Sequence, residues 1–167
     1  MFRPFKTAYI LVGVPCSGKS TFVDRLIDHN TVIASTDDFI TERATFTGKS
    51  YNDIFKSTYK EAEAQMYEDI KNFHGSEWAN KLIWDQTNTT IKSRKAKLEK
   101  LDIDEVIAVY LPTNLKICLE RNEKRLDKSL KPDIIVDMHK RLQEPTYDEG
   151  FDEIWTINNN PSKGETS

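Results

Sequence analysis

Long apolar runs are missing from this sequence: none approaches the roughly 20 residues that a membrane-crossing helix requires, so no membrane partner is expected. Cysteine is scarce. Cys16 and Cys118 alone form neither a disulfide framework nor a metal-ligand spacing, and they suit a reducing compartment. An excess of positive charge is absent too. With 24 Lys and Arg against 27 Asp and Glu, the net charge of −3 indicates no broad basic surface, so any polynucleotide must be gripped locally. The stretch before the first apolar run, Met1 to Lys6, is too short for a secretory signal, and the expected location is cytoplasmic. Internal repeats and linkers are also lacking, which implies one domain over 1–157 followed by a polar tail over 158–167. A chain of 167 residues buries about two-thirds of its unfolded surface and requires no staple.

What is present is Gly13-Val14-Pro15-Cys16-Ser17-Gly18-Lys19-Ser20, which fits G-x-x-x-x-G-K-[ST] at every fixed position. An apolar run, Ala8 to Val12, precedes it, and Thr21 to His29 follows with apolar residues at helical spacing. That context makes it a phosphate-binding loop. Gly13 and Gly18 permit a tight turn that brings successive N–H groups to an anion, and the helix N-terminus adds its dipole. The candidate nucleotide contacts are Gly13, Pro15, Cys16, Ser17, Gly18, Lys19, Ser20 and Thr21. Lys19 contributes a point charge, Ser20 a hydroxyl for Mg²⁺, and Cys16 its backbone, its thiol being tolerated rather than used.

The rest of the chain alternates between strands and helices. Strands are expected at Thr7–Val12, Thr31–Ala34, Lys81–Asp85, Glu105–Leu111 and Glu153–Ile157, with helices at 21–29, 53–73, 91–101, 114–125 and 133–143. This pattern predicts an α/β fold with a central parallel sheet of about five strands and right-handed crossovers. Arg43 to Asn52 is polar and contains Gly48, and it reads as a mobile loop. The aromatic and methionine residues of 53–73 read as core rather than as a platform for bases. The basic helix at 91–101, with Lys92, Arg94, Lys95, Lys97 and Lys100, reads as a solvated face, or as one that meets a phosphate backbone.

A loop of this kind specifies nucleoside triphosphate and Mg²⁺ but not their use. Transfer of a phosphoryl group to an alcohol needs a carboxylate for the hydroxyl proton, a metal, and cations around the equatorial charge. Asp37, at the tip of the strand 31–34, is the candidate base, although it or Asp38 would equally serve as an N-cap. Asp85 follows an apolar strand and is the candidate Mg²⁺ acid, or else a turn cap. Arg121 and Arg125 share a helix face before a Lys-rich stretch, which suits either a lid over the triphosphate or an ordinary charged surface.

The ordered combination of these features resembles the 5′-kinase domain of phage and animal polynucleotide kinases, over about Tyr9 to Ile157. Besides the loop, it rests on Asp37-Asp38, on Asp85 with Thr87-Asn88, on Arg121-Asn122 with Arg125, and on Glu144-Pro145 with Glu149-Gly150-Phe151. The resemblance implies a P-loop kinase with an Arg-bearing lid, using ATP and Mg²⁺ to phosphorylate 5′-hydroxyl ends of DNA or RNA in nucleic-acid repair. Asp37 becomes the general base, Lys19 and Ser20 bind phosphate and metal, and Arg125 and Arg121 contact the phosphates. Asp38, Asp85, Thr87 and Asn88 fall on the acceptor side. Two arginines that flank the aspartate pair in the phage enzyme are replaced here by Thr36 and Ile40, and Arg43 is the candidate substitute. Arg43, Lys49 and Arg94 would then line a narrow acceptor channel. A kinase without a phosphatase domain is implied. Two other readings stand beside this one: the same fold acting on a small molecule or a tRNA-linked acceptor, and a nucleotide-binding switch or ATPase with no acceptor.

Overall fold

The computed structural model describes residues 3–160. Strands β1 (Thr7–Val12), β2 (Thr31–Ala34), β3 (Lys81–Trp84), β4 (Glu105–Tyr110) and β5 (Glu153–Thr156) form one sheet in the order β2-β3-β1-β4-β5. Every pairing is parallel. Helices α1 (Lys19–Leu26), α2 (Thr36–Thr47), α3 (Tyr51–Gly75), α4 (Ile91–Leu98), α5 (Leu115–Glu123) and α6 (Pro132–Arg141) flank it. Among the described residues, no helix is long and apolar enough to cross a membrane.

Side chains alternate across a strand, and the core divides accordingly. Ala8, Ile10, Leu82, Trp84, Val106 and Ala108 meet Met66, Ile70 and Phe73 of α3 on one face. Leu11, Ile83, Ile107 and Val109 meet Val23 of α1 on the other. Covered on both faces, the central strands are apolar throughout. Val14, in the loop, packs with Cys118 of α5 and Ile135 of α6, so two helices buttress the loop from below.

The segment 43–52, expected to be a mobile loop, is mostly helix. Ser35 caps α2 by accepting from the Asp38 N–H at 3.2 Å, and Ser50 caps α3 by accepting from the Asp53 N–H at 3.2 Å. Between the two helices lie only residues 48–50, with Gly48 in the left-handed region at φ 70°. Neither Asp37 nor Asp38 is the N-cap of α2. Both lie in its first turn, where the helix dipole favours an anion.

Two buried cations tie distant parts of the chain together. Lys6 donates to the carbonyls of Phe73, Ser76 and Ala79 at 2.7, 2.7 and 2.9 Å, closing the C-terminal end of α3. Arg94 forms a fully buried ion pair, Nε to Glu149 Oε1 at 2.7 Å and Nη2 to Oε2 at 3.1 Å, fixing the 3₁₀ turn Tyr147–Glu149 against α4. The polar tail is not wholly free of contacts. Asn160 Oδ1 accepts from the Asn114 N–H at 2.9 Å, while the remainder of the expected tail, 161–167, lies outside the described residues.

Candidate functional site

The loop Gly13 to Ser20 leaves the C-terminal end of β1, the central strand, where open parallel sheets place their ligands. Its shape requires both glycines. A Cβ on Gly13 would stand 2.5 Å from Ser17 Oγ, and Gly18, at φ 106°, caps α1 with Asn159 Nδ2 only 2.1 Å from where its Cβ would be. Cys16 also takes a positive φ, 67°, which costs a non-glycine residue about 1 kcal/mol and persists only where the surroundings impose it. They do so here. Arg121 Nη1 donates to Cys16 O at 3.1 Å, and Ser17 O accepts from Thr113 Oγ1 at 2.6 Å and from Asn159 Nδ2 at 3.2 Å. On the other flank the Gly13 N–H donates to Thr87 O at 3.0 Å. The first amides of α1, from Lys19 onward, lack intrahelical acceptors and form the anion-facing end of the loop.

Lys19 folds back across this loop, Nζ donating to the Gly13 and Val14 carbonyls at 2.8 Å each. Burial pushes its ammonium down to about 8, against the opposing pull of Asp85. Asp85, just beyond β3, is pushed up to about 6 by burial, with Asp38 and Asp37 adding to the effect and Lys19 opposing it. Both are desolvated at the mouth of a phosphate loop, where the Lys19 ammonium suits polyphosphate oxygens and the Asp85 carboxylate suits a cation carried in with them. Ser20 and Thr21 are exposed at the start of α1, and Pro15 is half-buried.

Asp37 is held by two side chains from elsewhere. The Tyr51 hydroxyl donates to its Oδ1, and Lys128 Nζ donates to Oδ2 at 3.3 Å while lying 5.2 Å from the Tyr51 ring centroid. Burial, followed by the Asp37 contact, raises the Tyr51 hydroxyl above its ordinary range, so it stays a donor. Lys128 belongs to the segment 124–131 between α5 and α6. Arg125 of that segment donates to Lys128 O at 3.4 Å, and its charge bears on both Lys19 and Tyr51. The fold therefore gathers Lys19, Asp37, Asp85, Tyr51, Arg125 and Lys128 at one end of the sheet. Asp38 stands beside them with its side chain exposed.

Other expected positions lie elsewhere. Arg94 cannot line an acceptor channel, because its guanidinium is sealed inside with Glu149 and the Asn88 carbonyl. Asn88 is buried as well. Its amide donates to Leu11 O at 2.7 Å and its Oδ1 accepts from Lys97, so it holds β1 to the β3–α4 connection rather than reaching outward. Arg43 pairs with Glu61 at 2.6 Å on the outer surface of α2 and α3, and Ile40, where the phage enzyme has arginine, is fully buried. Arg121 is engaged with the carbonyls of Cys16 and Asn159, shaping the loop from its side. Thr87 and Gln86 border a cleft of about 280 Å³ between α3 and the β3–α4 connection. Sequence reasoning missed Tyr51, Lys128, Thr113 and Asn159. Only Tyr51 left a local sign, its place directly after the Ser50 cap.

The AAA domain family model matches residues 9–145. No curated protein matches the sequence. Among solved structures, a chain of the Pnkp1/Rnl/Hen1 RNA repair complex is 25% identical, with a TM-score of 0.60 over 85% of this chain and 45% of its own. The present chain thus spans less than half of that relative. A candidate kinase from Chloroflexus aurantiacus J-10-fl superposes with a TM-score of 0.66 at 16% identity, over 93% of this chain and 86% of its own. A fungal RNA kinase does so with 0.59 at 13%, over 98% and 40%. The last two share the fold. A loop at the tip of the central strand, the order β2-β3-β1-β4-β5 and the family match over 9–145 agree: the chain belongs to the AAA domain family, and its fold is that of a P-loop kinase.

Proposed function

We propose that the chain is an ATP-dependent kinase that transfers the γ-phosphoryl group to the 5′-hydroxyl of a DNA or RNA end. The observation that carries this reading is the setting of Asp37, a carboxylate at the tip of β2, aimed by Tyr51 and Lys128 and standing beside the Lys19–Asp85 pair. A carboxylate oriented in this way suits accepting the proton of a hydroxyl nucleophile. The likeness to a chain of an RNA repair complex and to a fungal RNA kinase supports a nucleic-acid acceptor.

In this reading the triphosphate lies on the amides of Gly18 to Thr21 at the start of α1, and Lys19 exchanges the Gly13 and Val14 carbonyls for phosphate oxygens. Ser20 and Asp85 would hold Mg²⁺, which is ordinarily bound by one or two carboxylates together with substrate phosphates. The ion, when bound, offsets charge on the phosphates. Asp37 accepts the hydroxyl proton as the 5′-oxygen bonds to the γ-phosphorus and the β–γ bridge bond breaks, releasing ADP. The segment 124–131 acts as a lid whose Arg125 and Lys128 bring positive charge over the transferred group. Residues 1–157 make up the kinase domain, with Asn159 added as a brace for the loop.

The test is γ-labelled ATP with 5′-hydroxyl DNA and RNA oligonucleotides, with hydrolysis followed in parallel. Label on the oligonucleotide is the expected result, and Asp37→Asn should lower transfer by about 10²–10⁴-fold while ATP binding persists. Absence of label on every oligonucleotide overturns the reading. A small-molecule acceptor is the second reading, favoured by the buried Ile40 and by the commitment of Arg43 to Glu61.

A further inference from the structure

We propose that the cleft between α3 and the β3–α4 connection is the subsite for the first internucleotide phosphate of the acceptor and its adjoining base, with Lys97 on the phosphate and Tyr59 against the base. This rests on the kinase reading above.

The cleft, of about 280 Å³, is near the lower end of the roughly 300–1,000 Å³ range of small-ligand pockets, a size for one nucleotide unit rather than a duplex. Its lining combines hydroxyls with one cation and one carboxylate. Thr87, Thr89 and Ser93 lie on the β3–α4 side with Lys97, and Tyr59 and Glu63 on the α3 side. Lys97 forms no ion pair among the described residues. Its Nζ donates to the neutral Asn88 Oδ1, and its stem lies against Trp84, with Nζ 5.5 Å from that ring centroid. A half-buried ammonium hydrogen-bonded only to a neutral amide, facing hydroxyl groups and with the Glu63 carboxylate across the cleft, is equipped for a phosphate.

The cleft is joined to the site by two routes. Gln86 lines it and donates to Thr36 Oγ1 at 3.5 Å, and Thr36 precedes Asp37. Along α3, Tyr59 is 5.5 Å from the Phe55 ring, Phe55 is 5.8 Å from Tyr51, and the Tyr51 hydroxyl donates to Asp37. The aromatic residues of 53–73, expected to be core, are thus divided: Phe73 is buried, Phe55 is exposed, and the half-buried Tyr59 borders the cleft, while Tyr51, expected in a loop, is buried. An aromatic face in such a place suits base stacking of either DNA or RNA. Lys97 also supplies the acceptor-side cation that Arg43 and Arg94, engaged with Glu61 and Glu149, do not.

Lys97→Gln, which keeps the donor to Asn88, tests the proposal. Acceptors are a 5′-hydroxyl nucleoside, its 3′-phosphate and a 5′-hydroxyl dinucleotide, each assayed with γ-labelled ATP, and the Kd for ATP is measured independently. In the variant, kcat/KM for the 3′-phosphorylated acceptors should fall about 10–100-fold relative to that for the nucleoside, the loss of one charge-assisted hydrogen bond. Lys97→Arg should restore most of it. Tyr59→Ala should raise KM for the dinucleotide about tenfold, Tyr59→Phe much less, with the Kd for ATP within about twofold throughout. If the wild-type protein labels oligonucleotides but Lys97→Gln leaves that ratio unchanged, the subsite is wrong and the kinase reading stands. If the wild-type protein labels oligonucleotides but none of these short acceptors, the subsite is wrong; if it labels no acceptor of any length, both fall.

Discussion

Asp85 offers a test in which stability and function move in opposite directions. Burial raises its carboxyl from the ordinary 3.8 to about 6, so the folded chain holds the proton more tightly than the unfolded one. Stability then declines as pH rises from about 4 to about 6, and the penalty is fully present at pH 8. At about 1.4 kcal/mol per pH unit it amounts to at most about 3 kcal/mol, the attraction of Lys19 included. Asparagine cannot ionise. Asp85→Asn should therefore stabilise the ligand-free protein at pH 8 by about 1–3 kcal/mol, or roughly 3–10 °C in Tm. The gain should shrink steadily toward pH 5. Melting curves followed by circular dichroism at pH 5, 6, 7 and 8 give the comparison directly. Saturating ATP and Mg²⁺ should reverse the order, because only the wild-type protein retains the acid proposed to hold the metal, and a ligand at 100 times its Kd adds about 2.7 kcal/mol. A ligand-free Asp85→Asn protein that melts below wild type at pH 8, or a difference independent of pH, would refute this reasoning.

Two further outcomes follow from the buried contacts. Arg94→Met or Glu149→Gln leaves an uncompensated group inside, which should cost about 3–5 kcal/mol, whereas the double change Arg94→Met with Glu149→Leu should recover much of it; urea unfolding of all three proteins checks both. Gly13→Ala should abolish ATP binding because its Cβ meets Ser17 Oγ at 2.5 Å, and adding Ser17→Ala should restore part of it, as read by calorimetric titration.

The parts of the molecule that were legible in the sequence are those whose signals are local. Residues 7–20 carry a continuous apolar strand and a glycine spacing that only a narrow set of backbones accommodates, so β1 and the loop could be placed to the residue. Asp37 and Asp85 followed, because strand tips in parallel sheets converge. The helix α2 did not follow. Its sequence, Thr36 to Thr47, has almost no apolar stripe, and only the Ser35–Asp38 and Ser50–Asp53 cap pairs marked the start of α2 and the early start of α3 around the expected loop. Arg94 was illegible for another reason. A basic residue among lysines reads as solvated, and the carboxylate that draws it inside lies 55 residues later. Lys128 and Asn159 reach the site across 91 and 142 residues of chain, beyond any local pattern.

The braces of the phosphate loop also bear on the order in which the chain can become competent. Residues 13–20 are held by Thr87, Thr113, Arg121 and Asn159, all of which follow them in the chain, and β1 lies between strands at residues 81–84 and 105–110. Such long-range parallel pairing forms slowly and late. The phosphate loop is thus completed only once residues as late as Asn159 are in place, and its occupancy reports that the segments bracing it have folded.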